Sequence, residues 1–283
     1  MIVVTGASGA LGRLVVEGLL EIVPAARIVA AVREPAKVAH LAARGVQVRR
    51  ADYGDRASLD AALEGAERVL LVSANVVGQR TALHRNVIDA ARRAGVQRLA
   101  YTSILHADRS PLRLAGEHVA TEEAIRASGL PYTLLRNGWY VENFNGRIAA
   151  AAQRGEMVGS AGEGRIAAAA RADYAAAAVA VLTLAAPKEV YELAGSTSFT
   201  LAELAAEAGR QAGRDVVYQD VPPADFAGLL AGAGVPPPWP ELLADADAGA
   251  ARGGLYDDGK ALEALIGRPT RSLAGAVQAA LAA

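Results

Sequence analysis

Gly6, Gly9 and Gly12 stand three residues apart, between a short apolar run at Ile2–Val4 and a helical stretch at Arg13–Leu20. A strand, a glycine turn and a helix in that order aim backbone N–H groups and the positive end of a helix dipole at a phosphate. In such a corner Gly6 permits the tight turn, Gly9 lets the backbone approach a diphosphate, and Gly12 lets the helix pack close to the strand. The expected contact set is Gly6, Ala7, Ser8, Gly9, Ala10 and Leu11. Glycines recur by chance in an Ala/Gly-rich chain, so the flanking strand and helix give the spacing its meaning. The alternative is an ordinary strand-to-helix turn with spare glycines.

Further candidates lie where later strands end. Ile28–Val32 reads as the second strand, and in a dinucleotide fold the residue at its end meets the adenosine ribose. An acidic residue there would select NAD. Arg33 can instead pair with a 2′-phosphate and stack on adenine, with Lys37 adding charge, so NADP(H) is expected. Glu34 can still reach a ribose hydroxyl, and a solvated loop cation is the plain alternative for Arg33. Asp52 and Tyr53 follow the third strand, beside the adenine, or Asp52 caps the next turn. Val69–Val72 stops at Ser73, Ala74 and Asn75, which are expected to border the middle of the cofactor. His84, in the helical stretch Gly78–Gly95, is expected at the surface or an interface.

Ser103 closes the fifth strand, Leu99–Ile104, where short-chain reductases carry a substrate-facing serine. The Tyr-x-x-x-Lys pair that would lower a phenol pKa for proton exchange is missing. The helix at Glu117–Ala127 offers His118 and Glu122, four residues apart on one face, in its place. His118 is a candidate proton donor, or a surface histidine paired with Glu122. A sixth strand, Leu130–Arg136, opens into Asn137, Gly138, Trp139, Tyr140, Val141, Glu142, Asn143 and Phe144. Its amides can reach a nicotinamide carboxamide or ribose. Its aromatics can form an apolar wall over a planar ring, with packing between lobes as the alternative for Trp139. Tyr140 joins Ser103 and His118 among the candidate catalytic side chains.

These residues need an α/β scaffold, a Rossmann-type doubly wound parallel sheet with a smaller α/β C-terminal lobe. The length of 283 residues suits a nucleotide-binding domain over 1–135 and a substrate lobe over 136–283, with the chain crossing between them more than once. There is no cysteine, which excludes thiol catalysis and thiolate metal sites, and no histidine–carboxylate cluster at metal spacing. A net charge of −1 without a basic stripe argues against nucleic acid. No apolar run reaches the ~18 residues of a membrane span, and no signal peptide is evident, so a cytoplasmic protein is expected. In the second lobe the sequence predicts a helix over Ala167–Ala186 and a strand at Val190–Leu193. Thr200 and Glu203 form a capping box opening Leu201–Gly213. A short strand at Val216–Tyr218 and helices over Asp225–Gly232 and Lys260–Ile266 follow, and Ser272 can cap a terminal helix that runs to about Leu281. Val235–Pro240 breaks the chain as a rigid connection.

Thr5–Gly12, Val32-Arg33, Ala51–Asp55, Tyr101–Ser103, His106–Asp108, Leu134–Tyr140, Arg171–Tyr174, Tyr191–Gly195 and Gly253–Asp258 together resemble the NmrA-like atypical short-chain reductases. The resemblance runs along essentially the whole chain. It implies NADPH as cofactor, a quinone acceptor in a cleft between two lobes, and Gly6 to Leu11 on the diphosphate. It also implies Arg33 on the 2′-phosphate, and Ser73–Asn75 with Asn137–Asn143 on the nicotinamide half. A quinone can take a hydride directly and gather protons from water, which gives the missing Tyr-x-x-x-Lys a chemical reading. Two other functions fit the resemblance: a non-catalytic NADP-binding redox sensor, and a reductase of other electron-poor conjugated compounds. A homodimer is compatible with either.

Overall fold

Four consecutive buried residues make the first strand, β1 (Ile2–Thr5), as a parallel strand covered on both faces requires. In the computed structural model, which describes residues 1–282, the chain continues through α1 (Ala10–Leu20), β2 (Ile28–Val32), α2 (Ala39–Ala43), β3 (Gln47–Arg50), α3 (Arg56–Leu63) and β4 (Arg68–Leu71). Next come α4 (Arg80–Arg93), β5 (Arg98–Ile104), α5 (Ala115–Ala127) and β6 (Tyr132–Asn137), then α6 (Asn145–Arg154), β7 (Glu156–Gly159) and α7 (Arg171–Thr183). The remainder is β8 (Val190–Leu193), α8 (Leu201–Ala212), β9 (Val217–Asp220), α9 (Pro223–Gly232), α10 (Trp239–Ala251), α11 (Ala261–Ile266) and α12 (Leu273–Leu281).

Seven strands form one sheet in the order β3-β2-β1-β4-β5-β6-β8, and β1 to β6 pair in parallel. The order reverses between β1 and β4, and a crevice opens at the carboxyl ends of strands at such a reversal. The chain divides into two compact units: residues 1–104, 117–137 and 171–191 form the first, and 105–116, 138–170 and 192–283 the second. In the first unit, Val3, Val29, Leu71, Leu99 and Leu134 of the sheet pack with Leu59, Leu63, Val87 and Ile125 of the helices. Helix α7 returns there to lie on α1, so closely that a Cβ on Gly18 would sit 3.0 Å from Val179.

In the second unit β7 and β9 form a separate parallel pair. Arg147 of α6 reaches Asp247 of α10 at 3.1 Å and lies over the Phe226 ring. Residues 167–170 were expected to be helical and are instead extended. Ala167 N–H donates to Leu255 C=O, and Ala169 bridges to Tyr140. High alanine propensity gives way there to tertiary backbone pairing. Helix α10 has no counterpart in the sequence reading, because Pro240 near its start resembles a break. Proline is tolerated in a first turn, where its missing N–H has no partner anyway.

The capping box forms as expected: Thr200 Oγ1 accepts from Glu203 N–H at 3.1 Å, and Glu203 Oε2 accepts from Thr200 N–H at 2.9 Å. Thr200→Ala is expected to cost about 1 kcal/mol. Urea unfolding should show a lower midpoint with an unchanged slope.

Candidate dinucleotide site

The glycine corner is built from backbone geometry. Gly6 has φ +60°, a left-handed value that glycine adopts without steric cost, and it turns the chain out of β1. Gly9 N–H closes the turn on Gly6 C=O at 2.9 Å. A Cβ on Gly12 would run into the Gly6 carbonyl and stand 2.9 Å from Ala7 Cα, so only glycine allows α1 to come this close. Ser8, Gly9 and Ala10 are exposed at the amino end of α1, and Ala7 and Leu11 are buried behind them.

Tyr53 braces this corner from beneath. Its hydroxyl contacts Thr5 Oγ1 and donates to Val72 C=O at 2.8 Å, and Thr5 Oγ1 accepts from Val72 N–H at 3.1 Å. Thr5 and Tyr53 therefore tie the end of β1 to the end of β4 across the strand-order reversal. Burial pushes the Tyr53 phenol pKa up, and its proton stays in the brace. Asp52 accepts from Gly54 N–H at 2.9 Å and so closes the turn, while the cap of α3 is Asp55, which accepts from Ser58 N–H at 3.1 Å.

Beyond β2, Lys37 holds Glu34 at 2.7 Å and keeps the Glu34 carboxyl below its ordinary pKa. Arg33 is exposed and makes no hydrogen bond or ion pair among the described residues. The local anion is thus occupied, and the guanidinium is free to meet a phosphate.

The loop after β4 is fastened from four sides. Ser73 N–H donates to Thr102 Oγ1 at 2.9 Å, Ala74 N–H to His84 Nε2 at 2.9 Å, and Arg80 Nε donates to Ala74 C=O at 2.8 Å. Glu117 accepts from the Gly78 and Arg80 N–H groups. The Asn75 side chain stays exposed.

Two expectations from sequence are corrected here. His84 is not at the surface but fully buried, and burial takes its pKa down to about 3. His118 is buried too and does not pair with Glu122. Its Nδ1 meets the Tyr101 hydroxyl at 2.7 Å, and burial holds the ring neutral, well below the usual histidine range. Glu122 is taken by Arg136 of β6, at 2.9 Å to Nε and 2.8 Å to Nη2, and by Ser103, whose hydroxyl donates at 2.7 Å. Ser103 thus gives its proton to a buried ion pair. Spacing within one helix suggested the pairing of His118 with Glu122; the true partners come from neighbouring strands.

Both lowered histidines bind fewer protons folded than unfolded. Their stabilisation is complete above the unfolded pKa of about 6.5 and is lost as pH falls from there towards the folded value. Between pH 7 and pH 5 the His84 contribution alone is expected to fall by about 2 kcal/mol, with His118 acting in the same direction. Chemical denaturation at the two pH values measures this, and His84→Gln should flatten the dependence.

Strand β6 ends on Asn137, 5% exposed, whose Oδ1 is buried without a hydrogen-bond partner. Such an orphan acceptor is rare and calls for a ligand donor or water. Trp139 to Val141 pair with the 167–170 strip: Ala169 N–H donates to Trp139 C=O and Val141 N–H to Ala169 C=O. Trp139, Tyr140 and Glu142 are half-buried, Asn143 is exposed, and Phe144 packs edge-on to Phe199.

A glycine corner that excludes a Cβ, placed beside a strand-order reversal in a parallel sheet, marks the dinucleotide-binding α/β proteins. Within that class, the chain belongs to the NmrA-like family, whose model matches residues 1–246. It is 54% identical to "Quinone oxidoreductase 2" of Escherichia coli over 278 residues, 98% of this chain and 97% of that protein. The crystal structure of the NADPH-dependent quinone oxidoreductase QOR2 from E. coli complexed with NADPH superposes with a TM-score of 0.97, at 54% identity and 99% coverage of both chains. The Citrobacter sp. triphenylmethane reductase complexed with NADP(H) superposes at 0.95 with 37% identity, covering 99% of this chain and 100% of that one.

Proposed function

We propose that this protein is a cytoplasmic NADPH-dependent oxidoreductase that passes a hydride directly to quinones. The observation that carries the reading is the full-length likeness to the E. coli quinone oxidoreductase, in sequence and in backbone. The exposed, unpaired Arg33 supports the phosphate-bearing cofactor independently.

When bound, reduced nicotinamide supplies the hydride. The chain's own residues bind and orient. Gly6 to Leu11 receive the diphosphate on backbone N–H groups at the start of α1, and Arg33 takes the 2′-phosphate. Ser73, Ala74 and Asn75, with Asn137, Gly138, Trp139, Tyr140, Val141, Glu142 and Asn143, serve the nicotinamide half, where Asn137 Oδ1 can accept from a carboxamide. No tuned Tyr–Lys acid is present, and a quinone needs none, because the reduced oxygens collect protons from solvent. Tyr140, half-buried, and Asn143, exposed, are candidates to steady the acceptor oxygen; Ser103 and His118 are held in buried contacts with Glu122 and Tyr101. The likeness to the triphenylmethane reductase favours other electron-poor conjugated compounds as a second acceptor class.

The test mixes purified protein with NADPH and a benzoquinone and follows the nicotinamide absorbance. Oxidation that depends on protein and quinone is expected. Tight NADPH binding without oxidation across a quinone panel would reject the reading in favour of a sensor.

A further inference from the structure

Deep in the first unit lies a chain of neutral side chains that cofactor binding does not explain directly. His84 leaves α4 and ends on the backbone of the loop after β4. Ala74 N–H donates to its Nε2, so Nε2 is bare and Nδ1 carries the proton, which goes to Thr121 Oγ1 at 3.0 Å. Thr121 passes its own proton to Glu117 C=O at 2.8 Å. The tautomer is thereby fixed from α5. Tyr101 packs edge-on against the ring at 5.3 Å, and Arg80 holds the carbonyl of the same Ala74. Both faces of one residue's backbone are gripped from the first turns of α4, in a loop whose next side chain, Asn75, is exposed.

We propose that His84 is a positioning residue. Through Nε2 it fixes the Ser73–Asn75 backbone against the nicotinamide half of NADPH, and Thr121 sets the tautomer that makes this possible. The inference rests on the cofactor reading above, which places that loop on the nicotinamide half. A histidine buried only for packing needs no such arrangement, since either tautomer would fill the space. Here one ring nitrogen must accept and the other must donate.

Side-chain geometry supplies a discriminating pair of variants. Gln carries an acceptor as many bonds from Cα as Nε2 and retains the grip on Ala74. Asn reaches only as far as Nδ1, retains the contact to Thr121 and releases the loop. His84→Asn is expected to lower kcat/KM for NADPH with a benzoquinone acceptor by a factor of roughly ten, the effect of an unmet buried N–H. Its affinity for 2′,5′-ADP, which lacks the nicotinamide, should be unchanged. His84→Gln should recover kcat/KM to within about three-fold of wild type. Thr121→Val, which keeps the volume, releases the tautomer and should lower kcat/KM in the same direction, which keeps the test open if His84→Asn folds poorly. The proposal fails if His84→Asn matches wild type, if His84→Gln falls as far as His84→Asn, if Thr121→Val leaves kcat/KM unchanged, or if 2′,5′-ADP affinity falls in step with that for NADPH. A wild-type protein that does not bind NADPH would overturn the cofactor reading beneath it and this proposal together; wild-type binding with an unaltered His84→Asn overturns the proposal alone.

Discussion

Arg33→Glu is expected to raise the KM for NADPH roughly a hundred-fold and to leave that for NADH within about two-fold. The guanidinium is exposed and has no ion pair to break, so nothing in the fold offsets its loss. A charge-assisted hydrogen bond to phosphate contributes about 1.5–3 kcal/mol, and a carboxylate in its place adds repulsion. Some 2.7 kcal/mol in total is a factor of about a hundred. NADH carries a ribose hydroxyl at that position, which can donate to the new carboxylate. Steady-state kinetics with both nucleotides and one quinone decide the matter. Equal changes in both KM values would remove Arg33 from the 2′-phosphate.

Glu122→Leu is expected to cause the largest loss of stability, about 3–5 kcal/mol. The Glu122 side chain is 1% exposed and that of Arg136 6%. Removing the carboxylate strips Arg136 of its two short contacts, leaves the Ser103 hydroxyl without its acceptor, and frees Arg126 on the same helix. Removing one member of a buried ion pair is far costlier than putting an apolar pair in its place, so the double variant Glu122→Leu/Arg136→Met should recover most of the loss. Differential scanning calorimetry should show the single variant melting about 10 °C lower. A single variant as stable as wild type would mean that the cluster is looser than its geometry indicates.

That cluster also shows where sequence reading stops. The glycine corner and the strand ends were legible because they are local: a few adjacent residues fix turn, strand and helix, and a parallel sheet then puts all strand ends on one side. The capping box at Thr200 and the cap at Ser272, which accepts from Gly275 N–H, were legible for the same reason. Ser103, Glu122 and Arg136 come from β5, α5 and β6, and no spacing rule links them. His84 looked like a surface residue because its two partners, Ala74 N–H and Thr121, come from a loop and from another helix. The same holds for Tyr53, whose brace on Thr5 and Val72 joins three separate strand ends. Buried polar side chains take their meaning from residues distant in sequence, and these are the positions at which pattern is silent.

The chain's repeated passage between its units bears on how this gene can be cut. A product ending at residue 137 would contain β1 to β6 but neither β8 nor α7, and the surface of α1 that Gly18 prepares for Val179 would be left wet. A product beginning at residue 138 would carry α7 with no sheet to cover and would lack the 105–116 segment, whose Arg113 N–H donates to Asp245. Neither half is a module that evolution or a cloning strategy could move elsewhere. What can be transferred is the two units together, because each is assembled from three separate stretches of the chain.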